Sequence, residues 1–349
     1  MPSLEILLAT CCGERYLPEL LDSLFRQSYQ DFVVLIADDG STDSTLRIAE
    51  DYATRYPGRI RLLDFDGPAG SPGANFARLL DRATADYVMF CDQDDVWLPN
   101  KIALSLEHMR QMEAGHGSEK PLLVHTNLIV AGPALEPVCP SFWQHSKIEP
   151  ARNNLGQLLM QNVVVGCTIL MNRAMYERAR PIPPNMRMHD WWCALVASAF
   201  GAISCIEEPT ILYRQHTGNV CGAPKWDMRY ILSRAWKTFG TVEIQFGLTL
   251  KSIQAEALIS QYGATMTPAQ RDVIRTVAEL WSRPRLQRFW SLLRRGLIMN
   301  SFVRNIALFI TVTTRASRYA PPIKTALDGH ITATELSTGS GRRSFRSCP

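Results

Sequence analysis

Residues 87–97 read Tyr-Val-Met-Phe-Cys-Asp-Gln-Asp-Asp-Val-Trp, an apolar run of strand length that ends in an acidic cluster. Such a run, bounded by polar residues, predicts a buried strand with the acids at its mouth. Asp92 and Asp94 lie two apart where the chain turns, so both carboxylates can converge on one hard divalent ion. Magnesium and manganese prefer such oxygen ligands and keep positions open for substrate phosphates. Read alone, the triplet fits a solvated acidic turn equally well.

Working outward from this strand, the apolar runs Leu4–Ala9, Phe32–Ala37 and Ile60–Phe65 alternate with helix-period segments. One carries Leu17, Leu20, Leu21, Leu24 and Phe25, and the next carries Leu46, Ile48, Ala49 and Tyr52 behind a capping Asp43. A third, with Phe76, Leu79 and Leu80, follows a loop rich in Gly and Pro. The alternation predicts a mostly parallel sheet with helices on both faces, which binds ligands at the carboxyl ends of its strands. A second strand ends in Asp38-Asp39-Gly40-Ser41, which by itself also fits an Asx turn with a left-handed Gly. Further strands are expected over Leu122–Val130, Val163–Met171, Ala202–Ile206 and Ile211–Tyr213, and a helix over His189–Phe200. Beyond Pro224 the pattern is helical, with Thr267 as cap and Pro268 in the first turn. These boundaries divide the chain into an α/β catalytic domain (1–224), a helical basic extension (225–327) and a disordered tail (328–349).

With 46% apolar and 20% charged residues among 349, neither a disordered chain nor a polytopic membrane protein is expected. The net charge of +4 conceals an asymmetry: residues 1–279 hold 25 Lys and Arg against 31 Asp and Glu, whereas residues 280–349 hold 12 against 2. An acidic body argues against a nucleic-acid-binding main domain. Nine cysteines without a CxxC pair favour neither a disulfide framework nor a structural zinc site. The N-terminus shows no signal-peptide pattern, so a cytoplasmic protein is expected.

No acid occurs between Leu280 and Leu327, while nine basic residues from Arg283 to Lys324 interleave with apolar ones. This is the composition of helices lying in an anionic membrane interface, with Trp290, Phe302 and Phe309 inserted. Asn300, Ser301, Arg304 and Asn305 interrupt the apolar run, which argues against a spanning helix. A helical hairpin packed on the catalytic domain with a solvated basic face is the alternative.

The segments Ile6–Thr10 with Gly13–Leu17, Asp38–Asp43, Asp92–Trp97 and Tyr213–His216 occur in the order and at the spacing of the family-2 glycosyltransferases, which residues 4–222 resemble. That resemblance implies the GT-A nucleotide-diphospho-sugar transferase fold and an inverting transfer. The strings Asp-Gln-Asp-Asp-Val-Trp and Tyr-Arg-Gln-His are most similar to bacterial rhamnosyltransferases, which use dTDP-rhamnose in surface polysaccharide synthesis. Carried over by position, Thr10 and Glu14 lie in the loop that holds the nucleotide sugar, and Asp39 accepts the imide N–H of the base. Asp92 contacts ribose or metal, Asp94 holds a divalent magnesium or manganese ion with His216 as a further ligand or a phosphate contact, and Arg214 meets the diphosphate. Asp190, in Met-His-Asp-Trp-Trp, takes the place of the catalytic aspartate, with Trp191 and Trp192 expected to stack on sugar faces. Asn75 and Arg78 are placed to line the donor pocket. The sequence departs from the family at Cys11-Cys12, where Tyr-Asn is usual, and so lacks a ring that stacks on the base. The implied partners are a nucleoside diphosphate sugar, a saccharide or lipid-linked acceptor and an anionic membrane surface.

Two other readings compete. A haloacid-dehalogenase-type phosphatase would use Asp92 as nucleophile but leaves Asp38–Ser41 and Tyr213–His216 unexplained. A non-catalytic glycosyltransferase-like scaffold would predict loss of an acidic group, and all are present.

Overall fold

The computed structural model describes residues 3–184, 186, 188–219 and 242–313. The expected 224/225 boundary, Arg315, Arg318, Lys324 and the tail from 328 lie outside the described residues. Strands β1 (Leu4–Thr10), β2 (Phe32–Asp38), β3 (Ile60–Leu62) and β4 (Tyr87–Asp92) alternate with helices α1 (Leu17–Phe25), α2 (Thr45–Arg55) and α3 (Pro72–Arg82). They pair in parallel in the order β3-β2-β1-β4. Their side chains are buried on both faces with the period of two that a strand imposes. Leu7, Leu35, Val88 and Phe90 enter one core, while Ile6, Leu8, Val34, Ile36 and Met89 enter the other.

Beyond β4 come β5 (Val96–Trp97), α4 (Lys101–His116), β6 (Leu122–Ala131), β7 (Pro137–Cys139), α5 (Phe142–Ser146) and α6 (Leu155–Met160). Then follow β8 (Ile169–Asn172), α7 (Arg173–Ala179), α8 (His189–Phe200) and β9 (Ala202–Arg214). The sheet continues β4-β8-β6-β9-β5, with β8 antiparallel to both neighbours and β9 parallel to β6. The two strands expected over 202–213 are one strand whose register slips around Pro209, where proline has no N–H for the ladder. The strand expected over Val163–Met171 is only Ile169–Asn172. The Asn162 side chain bonds both the amide and the carbonyl of Val164, and a 3-10 turn occupies Gly166–Thr168.

After residue 241, α9 (Val242–Tyr262), α10 (Pro268–Ala278), α11 (Arg285–Arg294) and α12 (Phe302–Thr313) follow. Thr267 and Gln270 form a reciprocal capping box with Pro268 in the first turn of α10. Leu248, Leu258, Ile274, Leu292, Leu297 and Leu308 join the core that holds Leu158, Trp191 and Trp192. The helices thus share one core with the sheet layer.

Candidate active site

Register sets the first three positions. Thr10 is opposite Asp38, and Ala9 is opposite Asp92, so the ends of β1, β2 and β4 open at one level at their carboxyl edge. Thr10 is buried and its hydroxyl donates to Asp38 Oδ2 at 2.8 Å. Asp38 Oδ1 accepts from the Gly40 and Ser41 amides, a turn in which Gly40 takes φ +83°. The neighbouring Asp39 therefore faces the Gly67–Gly70 loop. Its Oδ1 accepts from the Ala69 amide and, at 3.4 Å, from Arg78, while Oδ2 accepts from the Gly70 amide at 3.1 Å.

The short strand β5 pairs antiparallel with β9, Val96 opposite Leu212, and so carries the turn Asp92–Asp95 to the segment that follows β9. His216 Nε2 and Asp94 Oδ2 lie 2.8 Å apart, and Asn219 donates to the same oxygen at 3.3 Å. His216 Nδ1 accepts from the Gly218 amide at 3.1 Å, which leaves Nε2 as the ring atom aimed at Asp94. A carboxylate and an imidazole converging in this way suit magnesium or manganese once the ring proton moves from Nε2 to Nδ1 and the Gly218 amide gives way, and with that change the residues fit the ion that the resemblance implies. Asp92, Asp95 and Cys167 also place one ligand atom each within 4.8 Å of one another. Burial and the two carboxylates push the Cys167 thiol far up, so it keeps its proton and is poorly suited to a hard cation.

Each acid of the run has its own surroundings. Asp95 is wholly buried, accepts the Arg214 amide at 3.1 Å, and is pushed well up by desolvation and then by Asp94 and Asp92. Desolvation, followed by the charges of Asp94 and Asp190, raises Asp92 to about 7. Behind them is Lys101, also fully buried, with Nζ 4.5 Å from the centre of the Trp97 ring and lowered to about 8 by desolvation.

Asp190 is in the first turn of α8, where its Oδ1 accepts the Trp191 amide. The N-cap is Met188, so Asp190 is not the cap of this helix. Its charge reaches Asp92, and its Cβ lies 3.5 Å from where a side chain on Gly166 would begin. Trp191 and Trp192 depart from the sugar-stacking role expected of them. Both are buried, and their indole N–H groups donate to the carbonyls of Leu158 and Ala179. His189 packs between the rings of Phe76 and Phe90, and burial lowers it to about 3, which keeps it neutral.

Arg214 is placed differently from the diphosphate contact expected of it. Its side chain is 3% exposed, and its guanidinium donates to the carbonyls of Asp94 at 2.8 Å and Pro133 at 2.7 Å and to the Glu19 carboxylate. It also covers the Tyr16 ring at 4.5 Å. Its donors are turned into the protein, so it fixes the acidic turn. Glu14 is likewise turned away from the loop's interior: its carboxylate accepts the Ser44 amide at the start of α2. Asn75 is buried, donates to the Ala37 carbonyl and accepts from Arg78, which in turn reaches the Asp38 carbonyl. Asn75 and Arg78 therefore brace the end of β2 from behind. Sequence reasoning missed Gln93, whose amide pairs with both the N–H and the C=O of Cys11 at 2.9 and 2.8 Å. A Cβ on Gly13 would begin 2.2 Å from the Gln93 oxygen, so this glycine admits the bridge.

Residues 6–116 match the sequence model of glycosyl transferase family 2. The chain is 29% identical over 228 residues to the dTDP-rhamnosyl transferase RfbG of Shigella flexneri, covering 62% of this chain and 74% of that one. It is 27% identical over 212 residues to an uncharacterized glycosyltransferase of Nostoc sp., covering 59% of this chain and 62% of the relative. Among solved structures, Staphylococcus aureus TarS 1-349 aligns over 89% of this chain and 90% of that chain, with 17% identity and a TM-score of 0.51, a likeness of fold. The phosphatase reading of Asp92 is set aside. With the acidic ends of β2 and β4 facing one edge of a GT-A sheet, the chain carries, over residues 6–116, the sequence pattern of glycosyl transferase family 2 and is a glycosyltransferase acting on a nucleotide sugar.

Proposed function

We propose that the chain is a metal-dependent, inverting glycosyltransferase that moves rhamnose from dTDP-rhamnose to a saccharide or lipid-linked acceptor during surface polysaccharide synthesis. It would work on the cytoplasmic face of the cell membrane. The observation that carries the reading is convergence: Asp190 on α8 acts on Asp92 at the end of β4, whose next acid, Asp94, meets His216. The choice of rhamnose is supported by the relative RfbG, whose name gives dTDP-rhamnosyl transfer.

In this reading Asp39 accepts the imide N–H of thymine at Oδ2, where among the described residues the Gly70 amide is its donor. Asp94 and His216 hold the divalent ion, which when bound offsets the charge that develops on the leaving diphosphate. Asp190 takes the proton from the acceptor hydroxyl as that oxygen attacks the anomeric carbon opposite the breaking C–O bond. The Trp191 amide fixes the orientation of its carboxylate. The buried indoles of Trp191 and Trp192 anchor the helix start that presents it.

The test is turnover of dTDP-rhamnose, UDP-N-acetylglucosamine and GDP-mannose, with manganese and with chelator, reading the anomeric configuration of product by NMR. Inverted product from dTDP-rhamnose, lost in chelator, is the expected result. Transfer from another donor alone would overturn the rhamnose assignment, and full activity in chelator the metal assignment.

A further inference from the structure

Nine large apolar side chains are exposed among the described residues, and seven of them lie on α11 and α12: Leu286, Trp290, Leu293, Phe302, Val303, Ile306 and Ile310. They form two rows. Leu286, Trp290 and Leu293 follow i, i+4, i+7 on α11, and Phe302, Ile306 and Ile310 follow i, i+4, i+8 on α12, so each row occupies one face. The opposite faces are already used. Ser291 and Leu292 of α11 and Leu308, Thr311 and Val312 of α12 are buried, and Phe289 meets Phe309 at 4.9 Å between the helices. Phe309, expected among the inserted residues, therefore faces its neighbour helix.

The charge around this face has one sign. Residues 280–313 contain six arginines and no acid. Arg288 and Arg304 are turned to backbone carbonyls, Arg283 pairs with Glu279, and Arg295 pairs with Asp272 of α10. Arg285 and Arg294 are exposed beside the apolar rows. No helix among the described residues is long and apolar enough to cross a membrane. α12 has 12 residues, about 18 Å at 1.5 Å per residue.

We propose that the outward rows of α11 and α12 are the surface by which this protein inserts into an anionic lipid bilayer, lying in the plane of the headgroups. This rests on the peripheral location proposed above and deepens it by naming the face. A basic rim around an apolar stripe is the complement of anionic headgroups over acyl chains. A second copy is a poorer occupant. An isologous dimer through this face would bury the exposed Arg285 and Arg294 of both copies in one interface, and the segment supplies no acid to meet them. The face is also tied to the catalytic helix. Leu297, just after α11, lies against Gly156 of α6, and α6 receives the Trp191 indole at the Leu158 carbonyl, one residue from Asp190. Docking here would hold Asp190 at a fixed relation to acceptors presented by the bilayer.

The test uses the full chain and a triple variant, Trp290→Ser, Phe302→Ser and Ile306→Ser, in flotation with phosphatidylglycerol/phosphatidylethanolamine vesicles and with phosphatidylcholine vesicles. A melting curve confirms that the variant folds, and sedimentation velocity gives the oligomeric state of both proteins. The expected result is that the wild-type chain floats with anionic vesicles and stays bound in high salt, while the variant loses roughly tenfold or more of its partitioning. Donor turnover on a soluble acceptor should be unchanged. Failure of the wild-type chain to bind anionic vesicles at low salt would remove the peripheral location itself. Equal flotation of both proteins would leave that location intact and overturn the assignment to this face. A wild-type dimer that the variant dissolves, without vesicle binding, would make the occupant a second copy.

Discussion

Replacing Arg214 with methionine separates two roles that a basic residue near a diphosphate site can have. The side chain is 3% exposed, so methionine keeps much of the volume and removes only charge and donors. The Asp94 and Pro133 carbonyls each lose a charged donor, at about 1–2 kcal/mol apiece. Loss of the cation over the Tyr16 ring adds about 0.5–1 kcal/mol. Glu19 is 56% exposed and hydrates when its partner goes, so that ion pair contributes about 1 kcal/mol at most. The total is a loss of about 2.5–6 kcal/mol, and Arg214→Lys should lose roughly half of it, since a point donor cannot serve all three acceptors. Urea unfolding of the full chain measures the loss, and manganese titration should show weaker binding because the Asp94 turn is no longer held. Wild-type stability combined with lost affinity for the nucleoside diphosphate would refute the reasoning and return Arg214 to the donor.

Asp94→Ala should lower transfer by roughly a hundredfold or more, since it removes an ion ligand and the leaving-group stabilisation with it; initial rates across a manganese series check this. Asp190→Asn should abolish transfer while nucleotide binding, followed by calorimetry, stays near wild type, because an amide keeps the shape but accepts no proton. Asp92 is raised from 3.8 to about 7, so its contribution to folding is complete below about pH 4 and is lost as pH rises through 7. A bound cation replaces that proton, so manganese should raise the melting temperature more at pH 8 than at pH 5, and equal shifts would count against the acidic cluster as the ion site.

The parallel half of the sheet was legible because each strand is a short apolar run and each helix has a 3.6-residue period, two signals that differ in kind. The acidic ends of β2 and β4 could be placed at one edge for the same reason, since parallel strands share a carboxyl side. The pairing of Asp94 with His216, 122 residues apart, has no local signal. It came from resemblance, and the antiparallel pairing of β5 with β9 that produces it is only two residues long. Side-chain direction was the least legible quantity. Trp191, Trp192 and Arg214 were expected to face ligand because their chemistry suits sugars and phosphate, yet the same chemistry suits buried carbonyls. Gln93 shows the converse: its flanking carboxylates drew attention, while its amide closes the loop after β1.

The acidic turn explains why donor and cation binding should be coupled. Asp92, Asp94 and Asp95 occupy four consecutive residues with Asp190 close by, and their charges oppose one another's ionisation. The protein distributes this repulsion unequally. Asp95 is held buried and its carboxyl is pushed well up by desolvation and its acidic neighbours, and Asp94 is met by His216 and Asn219. Asp92 is left near the point of titration, desolvated and facing two like charges. A nucleoside diphosphate arriving alone would add negative charge to this edge and be repelled. A cation arriving alone would be attracted but would leave coordination positions to water. When the two arrive together the cation cancels the charge of the diphosphate, so the pair adds little net charge to the edge, and each should bind more tightly in the presence of the other, by the same factor in either order.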